Sequence, residues 1–321
     1  MIDRAQAPVD ATPRRTLGQR FRREMKRHGQ LYLMIIPVII GFAVFKFAPL
    51  AGLAIAFKNY NFVDGLWGSP WVGLTNFQRV LSDPFFLRVL RNTFVLGIAT
   101  LIFTFPLPII FALALNEVRL SHQRFKTLIQ SLSYLPHFVS TVVIIGIVID
   151  VFSTNGLVNQ ALMALGLQPG RFLSSPDWFR PLYLGSYVWQ NLGWSSIIYV
   201  AALSAIPPER YEAAAIDGAT RMQRLWHITL PGIMPVIIVL FVIAVGDVVR
   251  VGFERVYFLQ VPATYETSDV LETYVYRRGL RELNYSYGAA VGLFNSLLTL
   301  VLVWTANWLV TRGNSERRGL W

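Results

Sequence analysis

The chain of 321 residues contains no cysteine, so disulfides and thiolate metal sites are excluded. Charge is scarce: 15% of residues are Asp, Glu, Lys or Arg, against about a quarter in a soluble domain. There is no G-x-x-x-x-G-K-[ST] phosphate loop, and no glycine stands before a lysine anywhere. The four histidines, His28, His122, His137 and His227, form no H-E-x-x-H pair, and no G-x-S-x-G offers a nucleophile elbow. These absences argue against a nucleotide hydrolase, a metalloenzyme or a serine hydrolase, and no catalytic or metal residue is expected.

What is present is hydrophobic: 54% of the residues, gathered in long blocks. About 20 apolar residues cross the hydrocarbon of a bilayer. Six stretches qualify, at 31–57, 90–116, 127–153, 181–203, 232–257 and 288–311. The expected fold is all-α, a polytopic bundle of about six transmembrane helices. Pro106, Pro108 and Pro136 fall inside two of the spans and predict kinks. The first apolar stretch is far longer than a signal core of roughly 7–15 residues and reads as a retained span.

The net charge of +11 would suggest nucleic acid in a soluble protein. Here the basic residues flank the spans and set topology instead, so no nucleic-acid partner is expected. The N-terminal segment, the 117–126 and 204–231 loops and the tail hold seventeen Lys and Arg, against nine in the longer alternate loops. The positive-inside tendency then places both termini in the cytoplasm. The expected organisation is a basic cytoplasmic segment at 1–30, a membrane domain at 31–312 and a cytoplasmic tail at 313–321. Trp67, Trp71, Phe77, Phe85 and Phe86 in the first outer loop suit an interfacial aromatic belt or a helix lying on the membrane.

One cytoplasmic loop, 208–231, is unlike the others. Ile206-Pro207-Pro208 stops the fourth span and starts a new helix. Glu209 and Glu212 favour its positive N-terminal end, Ala213, Ala214 and Ala215 are strong helix formers, and Gly218 fits a stop. A second short helix follows, with Met222, Leu225, Trp226 and Thr229 on one face, and Pro231 opens the fifth span. By composition alone this helix–glycine–helix elbow could be a plain interfacial connector.

Charges within a span are costly, about 2.5–3.5 kcal/mol each on insertion scales, and face a cavity or a partner. The fifth span holds Asp247 and Arg250, three apart and neighbours on one helix, either as a mutual ion pair or as cavity groups. Glu254 and Arg255 lie nearer the outer end and are expected to reach the interface, as is Lys46 by snorkelling.

Glu212-Ala213-Ala214, Asp217-Gly218-Ala219, Ile228 and Leu230-Pro231 resemble the EAA loop of ABC importer permeases. "SLSYLPHFVSTVV", "WQNLGWSSIIYVAALSAIPPE" and "YETSDVLETYVYRRGL" are similar to the sugar and polysaccharide branch of type I importers, from about Leu31 to the end. The resemblance implies a permease subunit in the bacterial inner membrane that takes up oligo- or polysaccharide, with acidic, alginate-like polymers within its range. It implies a second homologous permease, two cytoplasmic ATPases that bind ATP and Mg, and a periplasmic solute-binding protein. The chain itself would hold no cofactor. The elbow would seat in an ATPase groove through Glu212, Ala213, Ala214, Asp217, Gly218 and Ala219.

Aligned on Leu230-Pro231 and Pro235, maltose-type permeases place polar cavity residues at Asp247 and Arg250. The same comparison implies a substrate pathway past Tyr134, Trp189, Leu192 and Gly193, where Asn191 would offer a polar neighbour to sugar hydroxyls beside aromatic faces. An arginine and an aspartate stand here in place of neutral groups, so neutral-sugar specificity is not implied. The rival class is a stand-alone ion- or proton-coupled secondary transporter using Asp247; the EAA loop and the absence of an inverted repeat weigh against it. A membrane scaffold or sensor would show no flux.

Overall fold

The computed structural model describes residues 17–117 and 123–313, and the side chains of 28–117, 124–312. The basic residues at 4–27, Arg119, His122 and the 313–321 tail lie outside the described side chains. The chain divides into two compact units at Ala54/Ile55.

The first unit is helix α1 (Leu17–Phe42), kinked at His28 and carrying Pro37, followed by a π turn at Ala43–Phe47 that holds Lys46 exposed. Its apolar side chains from Leu31 to Phe47 are exposed, a surface suited to lipid.

The second unit begins in the 3-10 segment Ala48–Phe57 and is a bundle of packed helices. A loop with α2 (Gly65–Gly68) and α3 (Thr75–Ser82) leads to α4 (Pro84–Thr104) and α5 (Pro106–Glu117). Then come α6 (Gln123–Tyr134), α7 (Thr141–Phe152) and α8 (Leu157–Ala164). The long α9 (Pro176–Ser204) precedes the elbow helices α10 (Pro208–Ile216) and α11 (Arg221–Arg224). After α12 (Leu230–Gly246), short pieces α13 (Phe253–Leu259), α14 (Tyr265–Ser268) and α15 (Leu271–Val275) return the chain to α16 (Tyr285–Gly313).

Five helical runs among the described residues are long and apolar enough to cross a bilayer: His28–Phe57, Pro84–Glu117, Thr141–Ala164, Arg221–Val249 and Tyr285–Arg312. The fourth expected span is the 29-residue α9. Its apolar run is interrupted by Ser186, Gln190 and Ser196, all buried, because this helix turns polar groups into the bundle. The third expected span is not continuous. Leu135–Phe138 forms a 3-10 turn around Pro136, and Ser140 restarts the chain as the N-cap of α7. The second bends at Phe105, where Pro106 begins α5.

Three apolar clusters hold the second unit together. Ala56, Val80, Phe86 and Tyr274 pack at one end; Leu96, Ile145, Tyr183 and Val256 form the middle; Ala112, Tyr199, Leu203 and Ile233 lie toward the elbow. The aromatic loop 58–91 therefore divides its residues. Trp67, Trp71 and Phe85 are exposed, but Phe86 is fully buried and Phe77 packs against Phe57. Lys58 is buried too, donating to Leu66 O at 2.7 Å and lying over the Trp71 ring. At the head of α4, Asp83 accepts from Phe85 N, Tyr274 Oη and Tyr287 Oη. Burial alone would raise its carboxyl; these donors, Tyr274 foremost, hold it below the ordinary value.

Candidate functional site

The elbow forms as its residue types dictate. Gly218 has φ 75°, and the two hydrogen bonds of a Schellman stop are both present, Ala219 N to Ala214 O at 2.8 Å and Gly218 N to Ala215 O at 3.1 Å. Two residues on, Thr220 and Gln223 make a reciprocal capping box that starts α11. Glu212, Ala213, Asp217 and Gly218 are exposed, Ala214 and Ala219 partly so, and Ile216 is 87% exposed. Tyr211 Oη meets Thr229 Oγ1 at 3.0 Å and pins α10 against the next helix.

One expectation at the elbow holds in part: Pro231 stands in the first turn of α12 as expected, but no loop separates α12 from the elbow. The chain runs without a stop from Arg221 to Val249, and a π turn at Leu225–Thr229 precedes the proline. The wider turn suits a residue that has no N–H to donate and whose ring would crowd the carbonyl four residues back.

The fifth span is corrected as well. Asp247 and Arg250 are not neighbours on a regular helix. α12 ends at Gly246, Asp247–Val249 is a 3-10 turn, Arg250 leaves it at φ −109° and ψ 77°, and Gly252 takes φ 86° before α13 restarts. Among the described residues no ion pair joins Asp247 to Arg250. Broken backbone at membrane depth is tolerated where it lines a cavity, and a cavity of about 460 Å³ lies beside this break. Asp247 and Arg250 line it together with Gly97, Thr100 and Thr104 of α4 and Leu240 and Ala244 of α12.

α5 adds Leu107 and Pro108, and α9 contributes Tyr183, Tyr187, Asn191, Leu192 and Trp194. His137, from the break in the third span, stacks flat on Trp194 with centroids 4.6 Å apart and meets Asn191 Oδ1 through Nδ1 at 3.2 Å. Asn191 Nδ2 donates to Tyr187 O at 3.0 Å. The amide is thereby oriented, with one N–H and one lone pair left over.

The cavity thus gathers Asn191, Leu192, Asp247 and Arg250 from the expected pathway. Tyr134, Trp189 and Gly193 do not line it. Trp189 is exposed elsewhere on α9, and Gly193 is a contact between helices, where a Cβ would fall 2.2 Å from Ser133 O.

Arg255 contradicts its expected place at the interface. It is 5% exposed, donating to Ser186 Oγ at 2.9 Å and to Gln190 Oε1, while Glu254 beside it is exposed as expected. Tyr183, Tyr187 and Trp194 were absent from the sequence-based site. Their spacing with Asn191, at i, i+4, i+8 and i+11, is a legible helical stripe of aromatic and amide groups.

A helical membrane bundle with a charged, aromatic-lined cavity and an exposed elbow has the parts of a transport subunit. The chain matches the family described as binding-protein-dependent transport system inner membrane component over residues 104–313, and it belongs to that family. It is a multi-pass protein of the bacterial inner membrane. It is 42% identical to the polygalacturonan/rhamnogalacturonan transport system permease protein YteP of Bacillus subtilis (strain 168), over 97% of this chain and 98% of that one. A crystal structure of a bacterial ABC transporter involved in the import of the acidic polysaccharide alginate contains a chain 41% identical, with a TM-score of 0.85, covering 91% of this chain and 99% of that chain. The same transporter type, in complex with an alginate pentasaccharide-bound periplasmic protein, matches at a TM-score of 0.84 and 41% identity. The fold is that of a type I ABC importer permease.

Proposed function

We propose that the chain is one permease subunit of an ATP-driven importer for acidic oligo- or polysaccharide fragments. It works beside a second, homologous permease, receives substrate from a periplasmic binding protein and is driven by two ATPases, which bind ATP and Mg. The observation that carries this reading is the cavity. It combines aromatic faces for sugar rings with Arg250, a cation whose carboxylate neighbour on the break does not neutralise it by direct contact. Two relatives whose names or descriptions specify acidic polysaccharides support the substrate class. The planar guanidinium of Arg250 can take a uronate carboxylate through two N–H groups, and Asp247 can accept sugar hydroxyls and ease release.

The test is uptake by the reconstituted complex across uronate and neutral oligosaccharides of equal length. Preferential uptake of the uronates is expected; equal uptake of both would remove the acidic reading. Arg250→Gln is expected to lower uronate uptake on the order of tenfold or more, the size of losing a hydrogen bond to a charged group. Because the two side chains are not paired, adding Asp247→Asn should not restore it. Recovery in the double variant would reassign the two residues as a structural pair.

Sidedness follows the charge count, with both termini and the elbow in the cytoplasm. The absence of cysteine makes this easy to measure. A cysteine at Asn155 should react with an impermeant maleimide added outside intact cells, and one at Thr220 should not. The reverse labelling would invert the topology.

A further inference from the structure

Arg255 is a charge almost wholly removed from solvent, and among the described residues no carboxylate pairs with it. Its partners are neutral and all stand on α9: Ser186 Oγ, Gln190 Oε1 and the face of Tyr187, whose centroid lies 5.2 Å from the guanidinium carbon. An interior cation without a counter-charge is expensive, and an apolar residue of similar volume often serves packing as well or better. Packing alone therefore does not account for this arginine.

Its position suggests what does. Tyr187 stacks on Arg255 and also lines the cavity. The cation thus stands behind a cavity wall. The other ionic groups at the cavity are Asp247 and Arg250, which are opposite in sign. Glu272 lies close to the backbone N–H groups of Phe253 and Gly252 beyond the break, feels the charge of Arg250 and lines a separate cavity; Glu254 is exposed. Like Arg250, Arg255 has no carboxylate in contact among the described residues, but Arg255 is buried behind the wall. Through a dry protein wall its field is screened much less than it would be in water.

We propose that Arg255 is a specificity-determining residue of the cavity: a buried cation behind Tyr187 that favours carboxylate-bearing sugars over neutral ones without touching them. This rests on reading the cavity as the passage for acidic oligosaccharides. Ser186 and Gln190 hold the guanidinium in place while adding no charge of their own, so the positive potential persists.

The experiment compares wild type, Arg255→Gln, Arg255→Met and Arg255→Lys in the complete importer reconstituted in liposomes. Uptake of trigalacturonate is measured against its fully methyl-esterified, neutral form. The same binding protein serves every arm, so its own selection cancels between variants. Arg255→Gln should lower the acidic-to-neutral ratio on the order of tenfold, the effect of losing one charge about 10 Å away at an effective dielectric near 20. Arg255→Met fills the space without charge and should do the same if the glutamine variant inserts poorly. Arg255→Lys keeps the charge, loses the fork, and should retain the ratio. An unchanged ratio in the neutral variants, or an equal fall in the lysine variant, would overturn the assignment while leaving the importer reading intact. A wild type without acidic preference would overturn both.

Discussion

Replacing Gly97 by alanine is expected to cost more than the same change at any other described glycine of the second unit. A Cβ built at Gly97 falls 1.7 Å from the carbonyl oxygen of Val248 and 2.7 Å from its carbonyl carbon. Those atoms belong to the 3-10 turn Asp247–Val249, and they are backbone, so no rotamer change relieves the overlap. Either α4 or the turn must move. Overpacking of this kind costs about 1–3 kcal/mol or more, and the displaced turn carries Asp247 toward or away from the cavity. The expected result is a lower melting temperature in detergent, lower membrane abundance and loss of uptake. Gly185→Ala is the matched control: it lies on α9, and a Cβ there meets nothing within 4 Å. It should leave all three measurements unchanged. Wild-type stability and uptake in Gly97→Ala would mean that the turn does not rest on α4 as described.

The second large effect is expected at the elbow, and there it should spare the fold. Gly218 holds φ 75° with open space around it. The obstacle to a side chain is thus conformational and not steric crowding within this chain. A left-handed conformation costs an ordinary L-residue roughly 1–2 kcal/mol, more when it is β-branched. Gly218→Val should therefore unseat the Schellman stop and redirect α10 while the spans remain inserted. We expect normal membrane level with loss of transport and of substrate-stimulated ATP hydrolysis by the assembled importer. Asparagine enters this region more readily, so Gly218→Asn should keep most of the activity. Glu212→Lys, on the exposed face of α10, should lower coupling without altering insertion. If Gly218→Val retains coupled activity, the elbow does not transmit. If asparagine fails as fully as valine, the requirement is close approach by a partner surface.

The contrast between these two glycines also shows what the sequence could disclose. The elbow was legible because its signals are local: two prolines, a run of alanines and one glycine within a few residues. The break at Asp247–Gly252 was not. Its sequence contains no proline and remains largely apolar, so it reads as a continuation of the span, and its support comes from α4 and α9. Arg255 was misread for a similar reason. A Glu-Arg pair near a span's end suits the interface, whereas the groups that bury it lie 65 and 69 residues away in the chain. The aromatic stripe on α9 could have been found from spacing alone. The stacking of His137 on Trp194 could not, since it depends on where the third span breaks.

The helical run that leads from the elbow to Asp247 has a mechanical consequence. From Thr229 to Asp247, at 1.5 Å per residue, it is a shaft of about 27 Å. Tyr211 grips the near end of that shaft through Thr229, and Leu240, Ala244 and Asp247 toward the other end form part of the cavity wall. A tilt imposed at the elbow has no flexible loop in which to dissipate before it reaches that wall. The freedom lies beyond Asp247, where the backbone leaves helical geometry and Gly252 turns it back. The chain therefore places its stiffness between the surface that is pushed and the chamber that must change shape, and its compliance on the far side of that chamber.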